Sequence, residues 1–250
     1  MSTLVPPRPF HRPRSHFIPR VLVLFAGVMA TAMLTLASPY NDALSALNRR
    51  QYEEAARFFS HSIASNLEVD ESLWYRSEIR ALQGRANDAF ADCDRLRQVM
   101  PKSPASLLAR ARVCEILGND AGVERNLRSV IAAFPKYPGA YNLLAWRLAT
   151  NPSASVRNGG EAVRLAQRGC ELTRFEKWAY LETFAAACAE AGNWPEAIRV
   201  QREAIERLQR RLSHGPANET LAEMNHRLHD FQSSRPYRKA PEREVLFSGF

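Results

Sequence analysis

The sequence is short of the residues from which most reactive sites are built. Its 250 residues include only four cysteines, with no CxxC and no zinc-ligand spacing among them. That argues against a zinc ribbon or a dithiol redox centre. Glycine numbers 11, and there is no glycine-rich phosphate turn, P-loop, GxSxG or HExxH. Neither a nucleotide cradle nor a hydrolase motif is therefore written into the chain, and no cofactor is implied. Long apolar runs are absent apart from one near the N-terminus, which excludes a multi-span membrane protein. A composition of 46% hydrophobic and 24% charged residues excludes wholesale disorder and collagen.

Acidic residues are missing altogether before Asp42, and this decides how the net charge of +8 is read. Residues 1–37 carry four arginines (Arg8, Arg12, Arg14 and Arg20) and no acid. Residues 38–206 carry 22 positive and 21 negative groups, and residues 207–250 carry eight against five. The basicity sits at the two ends and the body is neutral. A nucleic-acid reader concentrates Lys and Arg on a folded face, so no nucleic-acid partner is expected.

The first twenty residues, rich in proline and arginine, precede an apolar run from Val21 to Ala37. Seventeen residues at about 1.5 Å each reach roughly 25 Å, a little short of a hydrocarbon core of about 30 Å. A basic flank before an apolar run is the layout of a secretory signal or a signal anchor. Ala30-Thr31-Ala32 and Thr35-Leu36-Ala37 are two small-x-small cut sites. Cleaved signal and retained anchor both stay open, with a mitochondrial presequence as the minor alternative. Either main reading exports the rest of the chain. It is then periplasmic or extracytoplasmic, or held at the inner membrane through residues 21–37. The folded part begins near residue 38, where Ser38-Pro39 reads as a helix start.

Self-comparison yields a fixed period. The segments RRQYEEAARFF, GRANDAFADCD, GNDAGVERNLR, GGEAVRLAQR and GNWPEAIRVQR align on Ala55, Ala89, Val123, Ala162 and Ala197, which are 34, 34, 39 and 35 residues apart. A first helical stretch ends at a turn marked by Gly84, Gly118 or Gly192. A second opens with acids in its first turn, which suits the helix dipole, and ends near a proline. Pro101 and Pro135 are 34 apart, as are Pro104 and Pro138. Leu107, Leu108, Ala111, Cys114 and Leu117 fall on one helical face. Arg76 and Arg80 interrupt the pattern at positions that should face a partner helix, and their heads are expected to reach water along apolar stems.

These segments resemble a tetratricopeptide repeat (TPR) protein of the bacterial type. The resemblance implies an all-α, right-handed α-solenoid of five helical hairpins, near 36–69, 70–103, 104–137, 138–177 and 178–211. The TPR domain is then 38–211. The stretch 150–160 inserts five residues into the fourth unit and resembles an extended-loop variant of the family. Leu221, Met224, Leu228 and Phe231 give residues 212–234 one apolar stripe, as a helix that caps the last repeat requires. Residues 235–250 are read as a basic, disordered tail.

In such a protein the first helices of successive units line a concave groove, which puts forward Trp74, Glu78, Leu108, Arg112, Glu115, Asn142, Trp146 and Glu182 as partner-binding residues. Aromatic and aliphatic groups there suit a partner's side chains, while Arg112 and Asn142 suit its backbone or a carboxylate. Inter-repeat packing is the alternative for Leu108 and Trp146, and a solvated face for the three glutamates. Some members clamp an acidic C-terminal peptide with several Lys, Asn and Arg residues. One Arg and one Asn beside three Glu do not reproduce that clamp.

The implied role is a non-catalytic scaffold for a protein or peptide partner at the cell envelope. Self-association into a homo-oligomeric envelope component is the alternative. A metal or catalytic centre at His226, His229 and Asp230 is the weaker one. Cys93 with Cys114, and Cys170 with Cys188, link helices that pack together in this fold. Disulfides and small buried hydrophobes are both open for them.

Overall fold

A computed structural model of the chain describes residues 38–212 and 219–239. The leader, its apolar run at 21–37 and both cut sites lie outside the described residues. So does the end of the tail. The described elements are all α-helices: α1 (Pro39–Asn48), α2 (Tyr52–Ala64), α3 (Val69–Leu82), α4 (Ala86–Val99), α5 (Ala105–Ile116), α6 (Asp120–Ala133), α7 (Pro138–Thr150), α8 (Gly159–Leu172), α9 (Trp178–Glu190), α10 (Trp194–Arg211) and α11 (Glu219–Gln232). None of them is long and apolar enough to cross a membrane.

The turn that joins two helices of a pair is the same at three places. Gly84, Gly118 and Gly192 have φ of 72°, 69° and 77°. The amide after each glycine reaches back to a carbonyl five residues earlier, as in Arg85 N–H to Arg80 O and Asn119 N–H to Cys114 O, both 2.8 Å. This left-handed residue satisfies the last free carbonyls of the helix. The α1–α2 turn repeats the pattern with Arg50, at φ 60°, and with Gln51 N–H to Ala46 O. Arg50 stands 34 residues before Gly84, so the period extends into the first pair, where no glycine marks it.

The described residues fall into two compact bodies, divided between Asn119 and Asp120. In the first, α1 packs on α2, α2 on α3, α3 on α4 and α4 on α5, and α3 also lies beside α5. Its core collects Ile63, Leu73, Ala89, Cys93, Leu96, Ala109 and Val113. Arg76 and Arg80 do not keep wet heads as expected. Both reach Asp92 on α4 at 2.6 Å, and the Asp92 side chain is only 4% exposed. Arg76 also donates to Ser60 Oγ at 2.8 Å. The interruption of the apolar pattern is thus a buried ionic junction of α2, α3 and α4.

In the second body each helix packs on the next from α6 to α11, and α7 also lies beside α9. The inserted residues after Thr150 form a loop pinned by Arg157, which donates to the carbonyls of Asn151 and Pro152 at 2.8 and 2.9 Å. Its Nε donates to Glu190 Oε1 at the end of α9, at 2.9 Å. Asn158 then caps α8 by accepting the Glu161 amide at 3.0 Å. Gly159 opens that helix where a Cβ would come within 2.7 Å of the Ala191 backbone, so the close approach of α8 to α9 requires glycine. The stripe of α11 buries Met224 and Phe231, and the fully buried Gln201 of α10 donates to Met224 O at 2.9 Å.

Candidate functional site: the faces of the first helices

Of the eight groove residues expected from sequence, five stand in the first body and three in the second, and each set is described in its own frame. In the first body, residues three, four and seven apart align Trp74 with Glu78 on α3, and Leu108, Arg112 and Glu115 on α5. The packing of α3 beside α5 brings four of these into one chain of contacts. Trp74 Nε1 donates to Glu78 Oε1 at 2.9 Å. That oxygen lies 3.8 Å from Arg112 Nε, and Arg112 Nη1 lies 2.7 Å from Glu115 Oε2. Leu108 is half-buried one turn earlier.

Glu78 is only 5% exposed, so the solvated-face alternative does not describe it. Burial pushes its carboxyl above the usual range, while Arg112 and the Trp74 indole pull it back. Trp74 and Arg112 remain half-buried, leaving an aromatic edge and a cation beside a buried acid.

In the second body, Asn142 and Trp146 stand one turn apart on α7, and Glu182 stands on the neighbouring α9. Trp146 is 8% exposed and Glu182 is buried. What covers them was not foreseen. Arg227 of α11 reaches Glu182 Oε1 at 2.5 Å, and its guanidinium lies 4.9 Å from the centre of the Tyr237 ring and 6.0 Å from that of Trp146. The Tyr237 and Trp146 rings are tilted against one another with centres 5.7 Å apart. Burial raises the Glu182 carboxyl, and the ion pair with Arg227 opposes the rise.

Residues 235–239 therefore do not behave as the tail expected from composition. Beyond the Tyr237 stack, Arg238 Nη1 lies 2.6 Å from Glu190 Oε2. The Lys239 amide donates to Thr150 O, at the end of α7, at 2.9 Å. The segment is non-helical and laid along the α7–α9 face. Glu190 thus sits between two cations, Arg157 of the inserted loop and Arg238 of the tail. Asn142 Oδ1 and Trp146 Nε1 are among the buried side-chain atoms of this face that have no hydrogen-bond partner among the described residues, as are Glu182 Oε1, Glu190 Oε2 and Arg227 Nε.

Sequence reasoning missed Arg227, Tyr237, Arg238, Glu190 and Arg157. One signal was available. Arg227 falls three residues after Met224 and four before Phe231, inside the apolar stripe of α11, where an arginine needs a partner. Nothing comparable marked the tail.

The four cysteines are buried thiols. Burial pushes Cys93, Cys170 and Cys188 up to about 12. His226 and His229 are exposed on α11. His226 Nδ1 lies 3.2 Å from Asp230 Oδ2, and Arg235 takes the other oxygen at 2.8 Å. Among the described residues, no three His, Cys, Asp or Glu side chains stand close enough together to hold a metal ion.

No protein-family model matches the chain, and no curated protein matches it by sequence. Solved structures do resemble it. A thermophilic TPR protein from Thermus thermophilus superposes with a TM-score of 0.54 at 14% identity, covering 78% of this chain and 97% of that one. The MamA protein superposes with a TM-score of 0.50 at 14% identity, covering 72% and 95%. At such identities the likeness speaks of fold alone. On these helical pairs, their repeated turn and that likeness, the chain has the fold of tetratricopeptide repeat proteins.

Proposed function

We propose that the chain is a non-catalytic TPR scaffold that binds a peptide or helix of a partner protein on the faces of its first helices. The observation that carries this reading is the side-by-side packing of α3 and α5. It joins Trp74, Glu78, Arg112 and Glu115 into one contacting cluster on the element that the fold uses for display. An indole edge offers apolar anchorage. Arg112, already held by Glu78 and Glu115, brings to the face a guanidinium fork that a partner's carboxylate or carbonyl can share. The scaffold acts at the cell envelope, delivered or anchored by residues 1–37. That part of the reading rests on the basic flank and the apolar run 21–37 alone.

Two experiments test the two halves. Trp74→Ala and Arg112→Ala, each made in tagged full-length chain, are expected to reduce co-purified partner more than tenfold while the helical circular dichroism is kept. Unchanged partners in unchanged amounts remove the assignment. N-terminal sequencing and fractionation of the mature chain test the address, and a soluble cytosolic chain that still begins at Met1 contradicts it.

A further inference from the structure

Within the second body, the α7–α9 face has the features of a peptide seat with its own chain in it. Tyr237 fills an aromatic position against Trp146 and Arg227. Arg238 fills an acidic position at Glu190, which the inserted loop holds in place through Arg157. The Lys239 amide makes a main-chain bond to the end of α7. Ring, ion pair and main-chain bond together are the elements by which extended peptides are recognised.

The fit is incomplete. Asn142 Oδ1 and Trp146 Nε1 are buried on this face without hydrogen-bond partners among the described residues. Buried polar atoms are almost always paired, and these two sit one turn apart on α7. The tail is joined to α11 through Ser233 and Ser234, both exposed, with Ser234 at φ 52°. The amides of Ser233, Ser234 and Arg235 still bond to the last turn of α11, so only the segment from Pro236 onward is held by the α7–α9 face alone.

We infer that the α7–α9 face is a binding site for an extended partner segment that carries an aromatic residue followed by a basic one. Tyr237-Arg238-Lys239 is its tethered stand-in. The inference rests on the scaffold reading above and adds the ligand's chemistry and a competitor to it. A partner segment displaces the tail when it makes the same ring and ion-pair contacts and also pairs Asn142 and Trp146. The difference in contacts is what shifts the equilibrium from the tethered to the external segment.

The probe is a fluorescein-labelled peptide of sequence QSSRPYRKAP, corresponding to residues 232–241, titrated into full-length chain and followed by anisotropy. The Tyr237→Ala, Arg238→Ala double variant, with its seat emptied, is expected to bind at least tenfold more tightly than the unaltered chain. Adding Glu190→Gln to that variant, or replacing the peptide's tyrosine by alanine, is expected to cost at least tenfold. In the unaltered chain, saturating peptide is expected to speed hydrogen exchange in residues 235–239. This second readout stands even if the double variant fails to fold. Equal affinities for both chains with no change in tail exchange overturn the inference. So does a concentration-dependent dimer abolished by Tyr237→Ala, which makes a second copy the occupant. Failure here with the Trp74 and Arg112 effects intact leaves the scaffold reading standing. Loss of those effects with tight peptide binding does the reverse.

Discussion

At the scale of single residues, the buried charges give the most direct tests of the packing. Asp92 holds two guanidiniums, Arg76 and Arg80, and replacing it by Asn removes the carboxylate that both of them contact. Breaking a buried ion pair from one side costs about 3–5 kcal/mol. Asp92→Asn should therefore lower the unfolding free energy of the first body by that order, while the exposed pair control Asp94→Asn, partner of Arg110, should change it little. Glu71 gives a pH-dependent case. Burial, a hydrogen bond with Asp70 and the nearby charge of Glu68 raise its carboxyl from 4.5 to about 7. The folded state then holds a proton more tightly than the unfolded chain. Its stabilisation is complete below pH 4.5 and is lost as pH rises through 7. Glu71 is only half-buried, so the effect is discounted to roughly 1 kcal/mol. Melting curves of Glu71→Gln should match the unaltered chain at about pH 4 and lie above it at about pH 8. The opposite order would mean that the carboxylate is favoured in place.

At the scale of elements, glycine does two distinct jobs. Gly118 supplies a left-handed residue, and a Cβ there would touch nothing within 4 Å. Gly118→Ala should thus cost about 1–2 kcal/mol of conformational strain with no repacking. Gly159 has ordinary φ but meets the Ala191 backbone, which cannot swing aside. Gly159→Ala should cost about 1–3 kcal/mol and separate α8 from the end of α9. Gly160→Ala, whose nearest neighbour is Asn158 Oδ1 at 3.8 Å, should be silent. Urea unfolding of the three variants checks the contrast. A costly Gly160→Ala or a neutral Gly159→Ala would refute the packing described for the inserted loop.

Period and turn chemistry made the helices legible in the sequence, because each pair repeats one local solution. Ala55, Ala89, Val123, Ala162 and Ala197 are all buried, Ala162 included, although the insertion shifts its count. The turn at Arg50 escaped notice because the left-handed conformation does not demand glycine. The candidate site was legible only by halves. Helical spacing could place Trp74, Glu78, Arg112 and Glu115 on facing positions. It could not show that Glu78 loses its water, since burial depends on a neighbouring helix. Tyr237 and Glu190 stand 47 residues apart in sequence and share no periodic relation, so no pattern joined them.

For the molecule as a whole, the repeat body is neutral and the basicity sits at the two ends, which carry the proposed address and the docked tail, while the proposed recognition is assigned to helix faces. Everything functional proposed for the first body depends on the α3–α5 face binding a partner protein. The decisive measurement is photo-crosslinking in the intact cell, with the reactive amino acid placed at Trp74 and, as control, at the exposed Leu117. A discrete adduct of one partner protein is expected from position 74, lost when Arg112 is replaced by alanine, and none is expected from position 117. No adduct from position 74, or the same adducts from both positions, would mean that this face is not the binding surface.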